Sequence, residues 1–536
     1  MQHLANPGRR ADLVVSLIAM LSLPLFVYGL GATYLWQDEA QTALLGRSVL
    51  AHGVPMVGDG FESLSAVGGR DAGIGGVYFQ IAWLQAYVAA GSFRMLGESS
   101  WSARLPFALA GWLCVPLAAW TLRKADASPS AARIAALLTA LSVPFIISSR
   151  QARYYALTAA ITLLTTGTYA EIYGRAKRGD AQRALSSLSF GAAASFLVFA
   201  FDVTALGVLG ALALHWVLTT RAGSGRASAA FWIPWTASCL LLGAWLALSF
   251  TAASRHEHAG FGTLPARVRH GTFFYLGQIN AHMVPLPILL TVATLWRRPG
   301  GRAAALLAAV ALGGVAGASL SPVRYFRYVV PVFPVVLCLA SLGLASLASF
   351  GRWGKVVTWV TVVALISSTA PFVWSHVALS ALARSSGAVT VRDRPMEHRI
   401  PLALLVQEFL DPPRGPIAAM AEYLRRHANA EDVLVATYGD LPLKFHTSLE
   451  IYGGETGQLP PPGVRTHWIW PRYPKVYAEI RPAAEWVQGT LAGGGYRSIE
   501  LPVADRWWEN REDPELHIFS NPGPAGPPVV IYRAVD

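Results

Sequence analysis

The sequence predicts an α-helical polytopic membrane protein of about eleven transmembrane helices, followed by a small extracytoplasmic α/β domain. Three observations carry this. The chain of 536 residues is 53% hydrophobic and only 14% charged, with a mean hydropathy of +0.40, whereas soluble globular domains carry about 25% charged residues. Apolar runs of about 20 residues, the length that spans a bilayer, recur as far as residue 376. Beyond residue 377 charge, Pro and Gly rise and such runs stop.

Arg9 and Arg10 precede the first apolar run, 12–33, and no convincing small-residue cleavage site follows it. It reads as an uncleaved helix with a cytoplasmic N-terminus. Further spans are expected at 102–122, 132–149, 155–173, 185–202, 204–220, 230–250, 272–296, 303–320, 326–349 and 356–376. One more apolar stretch, 76–96, is ambiguous, and loop charge decides it. If it does not span, the loops on the N-terminal side of the membrane hold twice as many Lys and Arg as the opposite loops; if it spans, the bias reverses. Cytoplasmic loops collect basic residues, so the first alternative is preferred. Residues 34–101 then form a long first outer loop containing an interfacial or re-entrant segment. Gly73, Gly75 and Gly76 at its start, and Gln80 and Gln85 within it, fit that assignment. The same topology accounts for the net charge of +12 and argues against a nucleic-acid partner. Cys114, Cys239 and Cys338 fall inside apolar runs and read as packing residues, with no disulfide framework.

Residues 1–376 are thus the transmembrane domain, 377–414 a Pro- and Arg-containing linker, and 415–536 an extracytoplasmic α/β domain. In the last, Ile417, Met420, Ala421 and Leu424 have helical spacing, 432–437 reads as a buried strand, and further strands are expected at 465–470 and 528–533. There is no internal repeat.

The candidate chemistry lies on the outer side. Tyr34-Leu35-Trp36-Gln37-Asp38-Glu39-Ala40 leaves the first span. An acid pair there can be held at the lipid–water boundary, where a lipid-borne substrate presents its polar head. Asp38 is the expected catalytic carboxylate, with Glu39 as a second candidate; the bland alternative makes Asp38 a helix N-cap. Seven arginines oppose the positive-inside rule. Arg150 and Arg153, followed by Tyr154 and Tyr155, open one helix, and Arg324, Tyr325, Arg327 and Tyr328 open another. Arginines three apart share a helix face. Guanidinium binds phosphate oxygens bidentately, and helix N-termini favour anions, so both clusters are expected to hold a phosphate; snorkelling to headgroups is the alternative. Asp59, Glu62 and Asp71 in the first loop could meet a metal or sugar hydroxyls. His256, Glu257 and His258 sit in the outer loop 251–271, where His256 and His258 are expected to help close over substrate. His-x-His alone is a weak metal signal, so no cofactor is assigned and a divalent metal is left open.

Together, Asp38-Glu39, Ala51-His52-Gly53, Glu98-Ser99-Ser100-Trp101-Ser102-Ala103-Arg104-Leu105-Pro106, Ser149–Leu157 and Arg324–Pro331 resemble the GT-C superfamily of membrane glycosyltransferases. The similarity is strongest to the branch of protein O-mannosyltransferases and lipid A aminoarabinose transferases and covers about residues 10–375. It implies a bacterial-type inner (plasma) membrane protein. Such a protein would transfer a sugar with inversion from a polyprenyl-phosphate carrier to an envelope acceptor (glycolipid, glycan or protein) on the outer face. Asp38 would be the general base. Two positions depart from aminoarabinose transferases: Tyr154-Tyr155 stands where they tend to have an acid, and Phe61-Glu62-Ser63-Leu64 where they have Glu-Lys-Pro. A lipid-linked glycan polymerase or ligase and a glycolipid flippase are the rival readings. The first uses a large late loop; the second places ionisable residues deep within its spans, whereas here they sit at span ends.

Overall fold

Prolines and short polar breaks divide the apolar runs into helices. The computed structural model describes residues 7–58, 64–65, 71–72, 74–78, 83–178, 183–200, 203–220, 225–253, 263–295, 300–321, 324–385, 398–472, 481–505 and 526–535. The helical part runs α1 (Pro7–Val27), α2 (Gln37–His52), α3 (Leu84–Leu96), α4 (Ser100–Lys124), α5 (Pro129–Leu141), α6 (Val143–Ser149), α7 (Tyr154–Arg178) and α8 (Arg183–Ala200). It continues through α9 (Val203–Thr219), α10 (Gly225–Ala253), α11 (Leu264–Gln278), α12 (Leu286–Leu290), α13 (Gly301–Ser319), α14 (Phe333–Ala348), α15 (Gly351–Ser367) and α16 (Ala370–Ser385).

Among the described residues, three helical segments are long and apolar enough to cross a membrane unbroken: α4, α13 and Phe326–Ala348. Three expected spans are instead bent pairs. The run at 132–149 breaks by 62° between α5 and α6, that at 272–296 lies across a 97° bend after Met283, and that at 356–376 breaks by 95° between α15 and α16. Pro144, Pro285 with Pro287, and Pro371 stand at these breaks. Proline lacks the N–H a helix needs and disfavours helical geometry in the residue before it. Shorter apolar helices at Leu13–Val27, Ser186–Val198, Leu206–Thr219 and Ser228–Ala244 fall where further spans are expected. The ambiguous stretch 76–96 contains α3, whose 13 residues reach about 20 Å, short of the roughly 30 Å hydrocarbon core. Small residues let the helices close on one another: a Cβ at Gly207 of α9 would lie 2.0 Å from the carbonyl oxygen of Gly313 in α13.

The C-terminal part holds α17 (Pro401–Leu410), α18 (Pro416–His427), β1 (Val433–Ala436), α19 (Asp440–His446), β2 (Glu450–Gly453), β3 (Trp468–Trp470), α20 (Arg481–Ala492), β4 (Tyr496–Ala504) and β5 (Pro528–Ala534). The sheet order is β2-β1-β3-β5-β4. β1 pairs in parallel with β2 and β3; β5 pairs antiparallel with β3 and β4. Leu405 of α17 is buried in the helical core, whereas Ile417, Met420, Ala421 and Leu424 of α18 are buried on the sheet with Trp468 and Trp470. The chain therefore passes from one core to the other between α17 and α18. A third apolar cluster joins them: Leu441 and Phe445 of α19 pack with Leu35, Ala40 and Leu44 around the start of α2 and with Phe93 and Phe107.

Candidate active site

Helix α2 begins at Gln37, with Trp36 as its extended N-cap residue (φ −88°, ψ 175°). Asp38 is therefore not the cap. It lies in the first helical turn, where the helix dipole favours a carboxylate, and its side chain is 18% exposed. Two guanidinium groups converge on it from far along the chain. Arg327 Nη1 lies 2.8 Å from Asp38 Oδ2, and Arg153 Nη2 lies 3.5 Å from the same oxygen. Arg153 Nη1 also donates to the Asp38 backbone carbonyl at 3.0 Å and to Thr42 Oγ1 at 3.3 Å. Arg327 lies over the Tyr325 ring, 4.2 Å from its centroid, and within 5.7 Å of that of Tyr328.

The helix-face pairing of the arginines is corrected by the backbone. Helix α6 ends at Ser149, Arg150 is its C-cap, and residues 151–153 bend before α7 starts at Tyr154. Arg150 and Arg153 consequently diverge. Arg150 Nη1 donates to the carbonyls of Leu25 and Phe26 at 3.2 and 3.1 Å, its guanidinium lies over Phe409, and it lines a separate cavity of about 540 Å³ with Arg104, Arg399 and Arg414. Arg324 is exposed ahead of the 3₁₀ turn Phe326–Val332 that carries Arg327. Tyr154 and Tyr155 are buried edge-on to each other, centroids 4.8 Å apart, and do not present a lipid-facing surface.

Glu39 points the other way from Asp38. It is fully buried; Arg104 Nε and Nη2 donate to its two oxygens at 2.8 and 2.6 Å, and the Ala152 N–H donates to Oε1 at 2.8 Å. Arg104 also donates to the carbonyls of Leu30, Thr33 and Tyr34. This pair fixes the entry of α2 against α4 and the turn before α7, and so sets where Asp38 and Arg153 stand. Asp71 is buried and accepts a hydrogen bond from the Ser65 hydroxyl. Asp59, Glu62, His256, Glu257 and His258 lie outside the described residues.

The sheet domain brings residues to this site that sequence reasoning missed. The Gln37 side-chain amide donates to Asp440 Oδ1 at 2.8 Å and to Glu455 Oε2 at 3.3 Å. Burial, then the nearby charges of Asp38 and Asp440, push the Glu455 carboxyl well above the usual range, against the pull of Gln37 and Arg327. Burial also raises Asp440, opposed by Lys444 and Gln37. The Leu35 N–H donates to His446 Nε2 at 3.1 Å, and Arg425 ties the His446 carbonyl to the Tyr34 hydroxyl.

Burial first, then Arg425, Arg104 and Arg47, lower His446 to about 3, from an ordinary value near 6.5. A neutral ring is what this contact needs, since Nε2 must accept. The unfolded chain binds the proton first, so this contribution is complete above about pH 6.5 and is lost as pH falls from there toward 3. Thermal unfolding of the intact protein is expected to shift downward across that window, and His446→Gln should flatten the dependence. An unchanged profile in His446→Gln would refute this.

These residues do not fit a divalent cation. Asp38 is faced by two guanidinium groups, and an N–H₂ donor lies between Asp440 and Glu455. No cluster of three His, Cys, Asp or Glu side chains among the described residues has a metal-ligand arrangement.

By its likeness to solved structures the chain has a GT-C-like fold, and its apolar helices are those of a multi-pass membrane protein by length and composition. No family model matches the chain, and no curated protein matches its sequence. It is similar to ArnT from Cupriavidus metallidurans in the apo state, over 83% of this chain and 87% of that one, with TM-score 0.54 and 17% identity. It is also similar to the Archaeoglobus fulgidus oligosaccharyltransferase tethered with an acceptor peptide, over 92% and 69%, with TM-score 0.52 and 12% identity. A third similarity is to arabinofuranosyltransferase AftD from Mycobacteria, at TM-score 0.50 and 16% identity; it covers 97% of this chain but 40% of that one.

Proposed function

We propose that the protein is an inverting glycosyltransferase that moves a sugar from a polyprenyl-phosphate carrier to an envelope acceptor at the outer membrane surface. The observation that carries this is Asp38, partly exposed at a helix N-terminus, with Arg153 and Arg327 on the same carboxylate oxygen. The two guanidinium groups and one carboxylate leave a local net charge of about +1, matched to a phosphodiester of charge −1. Asp38 removes the proton of an acceptor hydroxyl. That oxygen forms the new glycosidic bond from the face opposite the phosphate, and the bond between the anomeric carbon and phosphate oxygen breaks. The departing polyprenyl phosphate gains negative charge, which Arg153 and Arg327 stabilise where it develops. Phosphate leaves readily, so a separate general acid is unnecessary.

Arg150, Arg324 and Glu39 take other roles in this reading. Glu39 with Arg104 holds the scaffold, Arg150 anchors the end of α1, and Arg324, exposed ahead of the turn that carries Arg327, is left to meet lipid headgroups.

The test is incubation of the purified protein with polyprenyl-phosphate sugars and measurement of released polyprenyl phosphate. Arg327→Ala is expected to lower kcat by roughly 10²–10³-fold, the usual cost of one donor to a developing oxyanion. A variant that changes KM alone would move Arg327 from the transition state to ground-state binding.

A further inference from the structure

Beyond Asp38 and its arginines, the sheet domain presents the carboxyl ends of its parallel strands to the same place. Thr437-Tyr438-Gly439-Asp440 follows β1, Gly453 ends β2 and Gly454-Glu455-Thr456 follows it, and Arg472 follows β3. In open α/β sheets this edge is where ligands bind. Gly439, Gly453 and Gly454 take φ of 88°, 88° and 59°, which L side chains rarely adopt. The two loops touch: a Cβ on Gly454 would lie 2.0 Å from Asp440 Oδ1, and one on Gly439 would lie 3.5 Å from Arg472 Nη1.

Two acceptor oxygens in this cluster lack a donor. Gln37 and Asp440 are 2% and 0% exposed, and neither Gln37 Oε1 nor Asp440 Oδ2 has a hydrogen-bond partner among the described residues. Leaving a buried acceptor unmade is costly. Lys444 already offsets the charge of Asp440, so a ligand that brings hydrogen-bond donors without charge fits best there. Hydroxyl groups of a sugar have that chemistry. The donor's sugar is joined directly to its phosphate, and Arg327, which faces Asp38, also lies within electrostatic reach of Glu455.

We propose that Gln37, Asp440 and Glu455 form the subsite for the donor sugar's hydroxyls, so that the sheet domain supplies half of the active site. This deepens the glycosyl-transfer reading and rests on it. The experiment compares two probes on the full-length protein by calorimetry: a polyprenyl-phosphate hexose, and polyprenyl phosphate carrying no sugar. Asp440→Asn sets two amide N–H₂ groups against each other, and Glu455→Ala removes an acceptor. Each is expected to weaken the sugar-bearing lipid by about 10–100-fold, the range for leaving a buried hydrogen-bonding group unpaired. Binding of the bare lipid phosphate should be unchanged, which also shows that the variants are folded. Equal binding of both probes to variants and wild type would overturn the subsite. So would parallel loss of both probes, which marks a structural role. A wild-type protein that binds neither probe sinks the glycosyl-transfer reading itself, and this subsite with it.

Discussion

Asp38→Asn is expected to lower turnover by about 10²–10⁴-fold, the contribution of a positioned general base, while polyprenyl phosphate still binds. Asn keeps the shape and still offers Arg327 one oxygen, so the arginines stay near their places. It cannot take up the acceptor's proton. Arg153 retains its bond to the Asp38 backbone carbonyl, which the substitution leaves untouched. Release of polyprenyl phosphate from a sugar-bearing donor is the measurement. Near-normal turnover in this variant would remove Asp38 from the chemistry. Loss of carrier binding together with turnover would instead make it a residue that only holds the arginines.

The second large effect is on stability. Arg104→Ala leaves the carboxylate of Glu39 fully buried with no opposite charge. Breaking such a pair from one side costs about 3–5 kcal/mol, against a typical total of about 5–15 kcal/mol. The carbonyls of Leu30 and Thr33 lose their Arg104 donor at the same time. A lowered unfolding midpoint in detergent, and poor recovery of folded protein, are expected. The double variant Arg104→Ala, Glu39→Ala should recover part of the loss, because it removes the orphaned charge. If Arg104→Ala and the double variant melt alike, the ion pair is not what sets stability here.

Residues differed in how openly the sequence declared them. Asp38 was legible because an acid immediately beyond a first apolar run has few other reasons to be there. Arg153 and Arg327 were legible because they oppose the charge bias of the loops. Their geometry was not: an i, i+3 spacing implies one helix face only if the helix is continuous, and α6 ends before Arg150. Arg104 stood out only as part of the Glu98–Pro106 segment that carries the family resemblance, since nothing local marks a partner 65 residues away. Asp440 and Glu455 sit in a stretch of soluble composition, where acids are usually solvated, and only the fold brings Gln37 of α2 to both. The breaks at Pro144, Pro285 and Pro371 were visible in principle, but hydropathy averaged over a window passes across them. Strands β2 and β4 were missed because one has four residues ending in glycine and the other carries Arg497, Ser498 and Glu500.

The contact between Leu35 and His446 spans 411 residues. Everything around Asp38 that depends on α19 waits for more than four-fifths of the polypeptide to be synthesised. On the proposed reading, a nascent or prematurely terminated chain can insert its helices and still lack a finished reaction centre. Partial products would therefore sit in the bilayer without consuming activated lipid.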